Sequence, residues 1–120
     1  MKNFLYFRAV TDEDNDDAAV DSAMVPVSAI TGLYPSSATA LTVFWKSQTN
    51  ENVQDSVVLT CTQGKVKKVI KSIVQAMNGH PHSDGITVVA DDVTTDYDGS
   101  TRSTVYLDSN ITACAALSIA

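Results

Sequence analysis

The chain has 120 residues, the size of one domain with a single hydrophobic core, so we expect residues 1–120 to form one domain. Its composition, 44% apolar and 18% charged, is typical of a folded globular chain and excludes a disordered or fibrous one. The net charge of -6 opposes nucleic-acid binding unless the basic residues gather on one face. Because no apolar run could span a bilayer and no signal-peptide pattern follows Met1, we expect no membrane association.

Short segments rich in β-branched and aromatic residues predict strands on both sides of a single helix. In one of them, Leu41, Val43 and Trp45 alternate with other residues, which is typical of a strand with one buried face. Gly32 and Pro35 are expected to bound an earlier strand, because both residues interrupt regular pairing. The strands are predicted at 3–10, 24–30, 39–46, 56–62, 86–90, 103–108 and 111–119.

After Gly64 the apolar spacing becomes that of a helix, which predicts one amphipathic helix over 65–78. Gly79 and Pro81 mark its end. This order of elements favours a mainly β fold, either an antiparallel sheet or a small barrel, with one helix packed on it. The predicted apolar stripe of the helix comprises Val66, Val69, Ile70, Ile73, Val74 and Met77.

An acidic run, TDEDNDDAAVDS at 11–22, is the first candidate site. Asp12, Asp14 and Asp16 have the spacing of the first three ligands of a calcium loop. However, Asp17 stands where that loop needs glycine, and Ala23 stands where it needs a bidentate glutamate. We therefore expect a solvated acidic loop, with an irregular cation site at the three aspartates as the alternative.

Four lysines on the outer face of the predicted helix are the second candidate site. Lys65, Lys67, Lys68 and Lys71 are half of the eight basic residues and could contact phosphate groups. The alternative is that they only solubilise the outer face of a surface helix. The preceding TQGKV lacks the first glycine and the Ser/Thr of a phosphate-binding loop, so nucleotide hydrolysis is not predicted.

The remaining candidates do not predict an enzyme. The segment HPHSD at 80–84 lacks further ligands at zinc spacing and is interpreted as a polar loop. Asp91 and Asp92 are neighbours whose side chains diverge if the strand continues. Cys61 and Cys114 lie in strand-like segments and are expected to be buried thiols, although a disulfide stays open. We predict no catalytic residue and no cofactor.

Several segments together resemble a family of small Sm/LSm-like proteins abundant in ocean metagenomes and attributed to cyanophages. The resemblance covers most of the chain and rests on NFLYFRAVTDEDNDDA, VPVSAITGLYPSSATALTVFW, DSVVLTCTQGKVKKVIKSIVQAMN and SDGITVVADDVTTD. It implies a strongly bent, five-stranded antiparallel barrel that assembles into a homo-oligomeric ring, with no established activity. Sm proteins usually open with a helix and carry RNA-binding signatures in strand loops, whereas this chain opens with a predicted strand and lacks such signatures. RNA binding therefore does not transfer.

Three hypotheses about function follow. The first is a self-assembling structural protein of a phage particle, for example a capsid-decorating protein, located in the virion or the host cytoplasm with other virion proteins as partners. The second is a ring that binds RNA or DNA through the four lysines, and the third is a metal-dependent enzyme. Assembly has physical support, because the predicted first and last strands leave sheet edges that a neighbouring subunit could pair.

Overall fold

The computed structural model describes residues 3–18, 20–47, 52–78 and 85–119, and it confirms a mainly β fold with one helix. Two short 3-10 turns, Glu13–Asn15 and Val27–Ala29, lie between strands. The helix is α1, Val66–Asn78. The strands are β1 Phe4–Arg8, β2 Ser22–Pro26, β3 Ile30–Ser37, β4 Ala40–Lys46, β5 Gln54–Cys61, β6 Ile86–Asp91, β7 Val105–Tyr106 and β8 Ile111–Ser118.

The eight strands form two four-stranded sheets. Sheet 1 has the order β2-β1-β6-β7, and sheet 2 has the order β3-β4-β5-β8. The expected antiparallel arrangement is wrong for one pair, because β1 and β6 run parallel. A parallel pair needs a long crossover connection. Here the chain between β1 and β6 contains β2, β3, β4, β5 and α1. Among the described strands no closed barrel is found, so the Sm-like barrel is not confirmed.

The core lies between the two sheets and the helix. Phe7 of sheet 1 stacks on Trp45 of sheet 2, with ring centroids 5.9 Å apart and planes 6° from parallel. Leu41 and Val43 are fully buried beside Trp45, as the alternation in β4 predicts. The antiparallel neighbour β5 contributes its own alternate residues, Val57, Leu59 and Cys61.

Helix α1 packs on β3 and β4 and closes one side of the core. Val66, Val69 and Ile73 are buried, which confirms the predicted apolar stripe at its centre. Val74 lies at the border of that stripe and is 38% exposed. The residues expected to end the helix, Gly79 and Pro81, lie outside the described residues. No helix in the described part of the chain has the length and apolar character needed to cross a membrane.

The predicted strand at 24–30 is wrong in its extent. Its first residues belong to β2, a 3-10 turn follows Pro26, and β3 begins at Ile30. Gly32 and Pro35 do not bound a strand but lie within β3, where the register with β4 shifts between Ile30 and Gly32 and again between Pro35 and Ser37. Bulges tolerate glycine and proline because the ladder of hydrogen bonds is already interrupted there.

Two further predictions about the terminal strands need correction. Strand β1 is not an edge strand, since it lies between β2 and β6. In β8, strict alternation predicts one face formed by residues 111, 113, 115, 117 and 119, but Cys114 is buried and Ala115 is exposed. The register with β5 shifts at this point, because Leu59 pairs with Cys114 and Val58 pairs with Ala116. The bulge adds one residue to β8 relative to β5, so the side chains on its two sides follow opposite alternation patterns.

Candidate functional site

Arg8, the last residue of β1, is the centre of a buried ionic network. Its guanidinium donates two hydrogen bonds to the Asp91 carboxylate, from Nε at 3.0 Å and from Nη2 at 2.8 Å. Both side chains are about nine-tenths buried or more. The parallel pairing of β1 with β6 places them side by side, because Arg8 and Asp91 are partners in the register. This two-point contact is the strongest type of protein ion pair.

The acidic run folds back onto this arginine. Arg8 Nη1 contacts Glu13 at 3.3 Å and Asp16 at 3.4 Å. Asp16 also accepts a hydrogen bond of 2.7 Å from the Ser22 hydroxyl. The loop therefore differs from the expected solvated connection, since two of its carboxylates are partly buried partners of Arg8.

A second acidic loop, which follows β6, joins the same network. Arg102 contacts Asp91 at 3.3 Å and Asp96 at 3.6 Å. The two loops are also joined through the backbone, because Glu13 N donates to Thr95 O at 2.9 Å. We call this region, Arg8 with residues 11–21 and 91–102, the acidic end. It holds ten of the fourteen carboxylates and both arginines, for a net charge of -8, which leaves +2 on the rest of the chain.

The electrostatic environment keeps the Arg8–Asp91 pair ionised. Burial alone raises the pKa of Asp91, but the Arg8 hydrogen bonds, the Val93 N–H and the charges of Arg8 and Arg102 together hold it below its usual range. The hydrogen bond to Asp91 raises the pKa of Arg8, against the effect of burial. The network thus holds a charged pair at the ends of β1 and β6, the two central strands of sheet 1, at physiological pH.

The three aspartates of the predicted cation site point to different partners. Asp12 accepts a hydrogen bond from Asp14 N at 3.0 Å and caps the 3-10 turn, whereas Asp16 faces Arg8 and Ser22. Asp14 is exposed. Within the described residues, no group of three or more Asp, Glu, His or Cys side chains has an arrangement that could hold a metal ion. The polar segment 80–84 lies outside the described residues.

Asp92 has a separate role at the open edge of β8. Its two oxygens each accept from Cys114 N at 3.0 Å, and Oδ1 also accepts from the Tyr106 hydroxyl at 2.6 Å. Burial, together with the hydrogen bond to Asp92, raises the pKa of Tyr106 to about 12. Asp91 and Asp92 therefore bind different partners, although β6 ends at Asp91, and Asp92 occupies one backbone donor on the outer side of β8.

The four lysines of the second candidate site are all exposed. Lys65 precedes α1, and Lys67, Lys68 and Lys71 lie on its outer face. In the described structure none of the four forms an ion pair with a carboxylate. Asp108 accepts from Ser72 Oγ, and this bond, with a smaller contribution from the nearby charge of Lys68, lowers the pKa of Asp108.

Both cysteines are buried free thiols, as predicted, so the open question of a disulfide is answered. Burial raises the pKa of Cys61 and raises that of Cys114 to about 12. Neither thiol has the thiolate character that nucleophilic catalysis requires. A separate open pocket of about 320 Å³ is lined by Thr31, Lys46, Asn52, Val53 and Gln54, and it contains none of the predicted site residues.

Sheet 2 has two edges that no other described strand pairs; the sequence predicted the edge at the last strand but not the edge at β3. Strands β3 and β8 form these edges, and each is eight residues long. Neither strand carries a charged residue, because the segments 22–45 and 109–120 contain no Asp, Glu, Lys, Arg or His. On β3, Tyr34 is 54% exposed and stacks on Phe44 at 5.1 Å. The signal in the sequence was the length of the two charge-free segments.

We compared the chain with models of protein families, with curated proteins and with solved structures, and none of them matches it.

Proposed function

We propose that this protein is a non-enzymatic structural protein that assembles with copies of itself into a ring. The observation that supports this proposal is that both open edges of sheet 2 are long and uncharged in a chain of net charge -6. Open edge strands present unpaired N–H and C=O groups, and monomeric proteins usually protect them with charges, proline or a covering element.

The two edges differ in how far they are protected. Strand β3 contains Pro35, and the outer side of β8 is blocked at Cys114 by the Asp92 carboxylate. Beyond Cys114, residues 115–118 of β8 carry neither a charge nor a proline. Pairing the open edge of β3 in one copy with the open edge of β8 in the next would satisfy both edges. Such a head-to-tail contact closes into a ring when a whole number of equal rotations between neighbouring copies completes a full circle.

The Sm-like architecture and the role in a phage particle form the finer part of this proposal. They rest on the resemblance of the sequence segments, and they place the protein in a virion or in the host cytoplasm with other virion proteins as partners. Detection of this chain by mass spectrometry in purified phage particles, at a copy number comparable to the capsid protein, would support the role in a virion. Its absence from purified particles would contradict that role.

The edge contact is tested by adding one charge to the open strand. Ala115 is exposed on β8, so Ala115→Lys should fold normally and weaken assembly, because a lysine at an uncharged strand contact must lose its hydration. Gln63→Lys adds the same charge at an exposed position before α1 and should leave assembly unchanged. Equal assembly of the two variants in light scattering would contradict edge pairing.

The alternative function is a ring that binds RNA or DNA. It is favoured by one observation, namely that all four lysines are exposed and make no ion pair with the described carboxylates. If all four contact the phosphates of single-stranded RNA, log K should fall with log salt with a slope of about -3. Replacing the four lysines with glutamine should flatten that slope. No retention of RNA at low salt would exclude this function.

A further inference from the structure

We propose that opposite charges on neighbouring copies set the direction of assembly, with Lys67 and Lys71 of one copy lying against the acidic end of the next. This inference rests on the proposed self-assembly and adds the second surface of the contact. The partner of the two lysines is then another copy of this chain.

The two charged regions lie towards different edges of sheet 2. Helix α1 packs on β3 and β4, so the helix lies nearer to the open edge of β3 than to that of β8. The acidic end belongs to the opposite side, because Asp92 binds the outward N–H of Cys114 on the open side of β8. A head-to-tail contact that joins the β3 edge to the β8 edge therefore brings lysines towards carboxylates.

Lys67 and Lys71 lie on the flank of α1 that is opposite to Ser72. Ser72 donates to Asp108, which fixes one flank of α1 against the turn that precedes β8. At 3.6 residues per turn, Lys67 and Lys71 lie roughly 100–140° around the helix from Ser72, on the side away from Asp108. Val74, which is exposed, is three residues after Lys71 and therefore lies beside it on the same side of the helix. This flank combines two cations with an exposed apolar side chain.

Both charged regions carry exposed groups that form no ion pair with any described residue. In the described residues Lys67 and Lys71 form no ion pair, and neither do Asp14 and Asp17 in the acidic end. Two copies of net charge -6 repel each other at long range. A contact between the lysine flank and a region of net charge -8 replaces this repulsion with local attraction, and it disfavours contacts in which two acidic ends meet.

The test uses a pair of charge-reversal variants at exposed positions. Lys67→Glu with Lys71→Glu makes the net charge -10, and Asp14→Lys with Asp17→Lys makes it -2. We expect each double variant to associate at least about tenfold more weakly than the wild type at low salt, because like charges then face each other across the contact. An equimolar mixture should regain assembly, since each reversed surface meets a complementary one. Circular dichroism should show that both variants are folded.

The Asp14→Lys, Asp17→Lys variant separates this contact from a general effect of net charge. General repulsion predicts tighter assembly for this less charged variant, whereas the directed contact predicts weaker assembly. Tighter assembly, or wild-type assembly of the lysine variant, would overturn the inference. Loss of RNA retention in the lysine variant without loss of assembly would also overturn it. A wild type that is a 12.8 kDa monomer at low salt would overturn both the proposed self-assembly and this contact, whereas the outcomes above overturn this contact alone.

Discussion

Replacing Asp91 with asparagine removes the negative charge on which Arg8 depends. The variant keeps nearly the same shape but leaves the arginine buried with only Glu13 and Asp16, at 3.3 and 3.4 Å. Breaking a buried ion pair by removing one partner costs about 3–5 kcal/mol. Because Arg8 retains two partly exposed carboxylates, we expect the lower end of that range, about 3 kcal/mol.

This loss is large enough to measure by thermal and denaturant unfolding. A chain of 120 residues has an unfolding entropy of about 0.25 kcal/mol per kelvin, so a loss of about 3 kcal/mol lowers the Tm by about 12 °C. Trp45 is the single tryptophan and is buried against Phe7, so its fluorescence reports unfolding of the core. The variant and the wild type must be compared at one protein concentration, because assembly also stabilises the folded state.

The pH dependence gives a second, independent signature of the same pair. The pKa of Asp91 is lower in the folded protein than in the unfolded one, so its contribution is present above the unfolded pKa of about 3.9. That contribution is lost as the pH falls through the folded pKa. The stability difference between wild type and Asp91→Asn should therefore be constant near neutral pH and shrink below about pH 4.

The control is Asp17→Asn, which removes the same charge from an exposed position of the acidic loop. At high salt, where the proposed contact between copies is screened, we expect little change in its urea midpoint. A loss below about 1 kcal/mol for Asp91→Asn, with an unchanged urea m value, would refute the interpretation that this ion pair stabilises the fold.

Three further predictions concern the core and the buried hydroxyl and thiol groups. Ile73→Ala should lower the free energy of unfolding in urea by about 2–5 kcal/mol, because Ile73 is fully buried. Val74→Ala, on the exposed border of the stripe, should lower it by less than about 1 kcal/mol. Equal losses would contradict the orientation of α1. Tyr106→Phe should cost about 1–2 kcal/mol at neutral pH. Since the folded pKa of Tyr106 is about 12, its contribution should be present below pH 10 and lost between about pH 10 and 12, and a flat wild-type profile there would contradict this. Cys114 should react with a thiol reagent only after unfolding, and rapid labelling of the native protein would show that it is not buried.

The spacing of apolar residues along the sequence predicted the elements that bury a single face. Strand β4 alternates regularly because one face packs on the core, and α1 shows its stripe because Val66, Val69 and Ile73 are all buried in the core. The exposure of the four lysines followed from the same pattern. In these elements the spacing of apolar residues is enough, since a single buried face decides the pattern.

The pairings and the ionic network could not be predicted in the same way. Arg8 and Asp91 are 83 positions apart, and only the parallel pairing of β1 with β6 brings them together. No local pattern specifies such a pair. Gly32 and Pro35 were misinterpreted because bulges in β3 make an interrupted strand look like a turn. The bulge beside Cys114 likewise reversed the predicted faces of β8.

The proposed self-assembly through the open edges of sheet 2 can be measured by native mass spectrometry of the wild-type protein. We expect one closed assembly whose mass is a whole multiple of 12.8 kDa, present at low micromolar concentration and weakened by added salt. A single species of 12.8 kDa at every protein and salt concentration would contradict it.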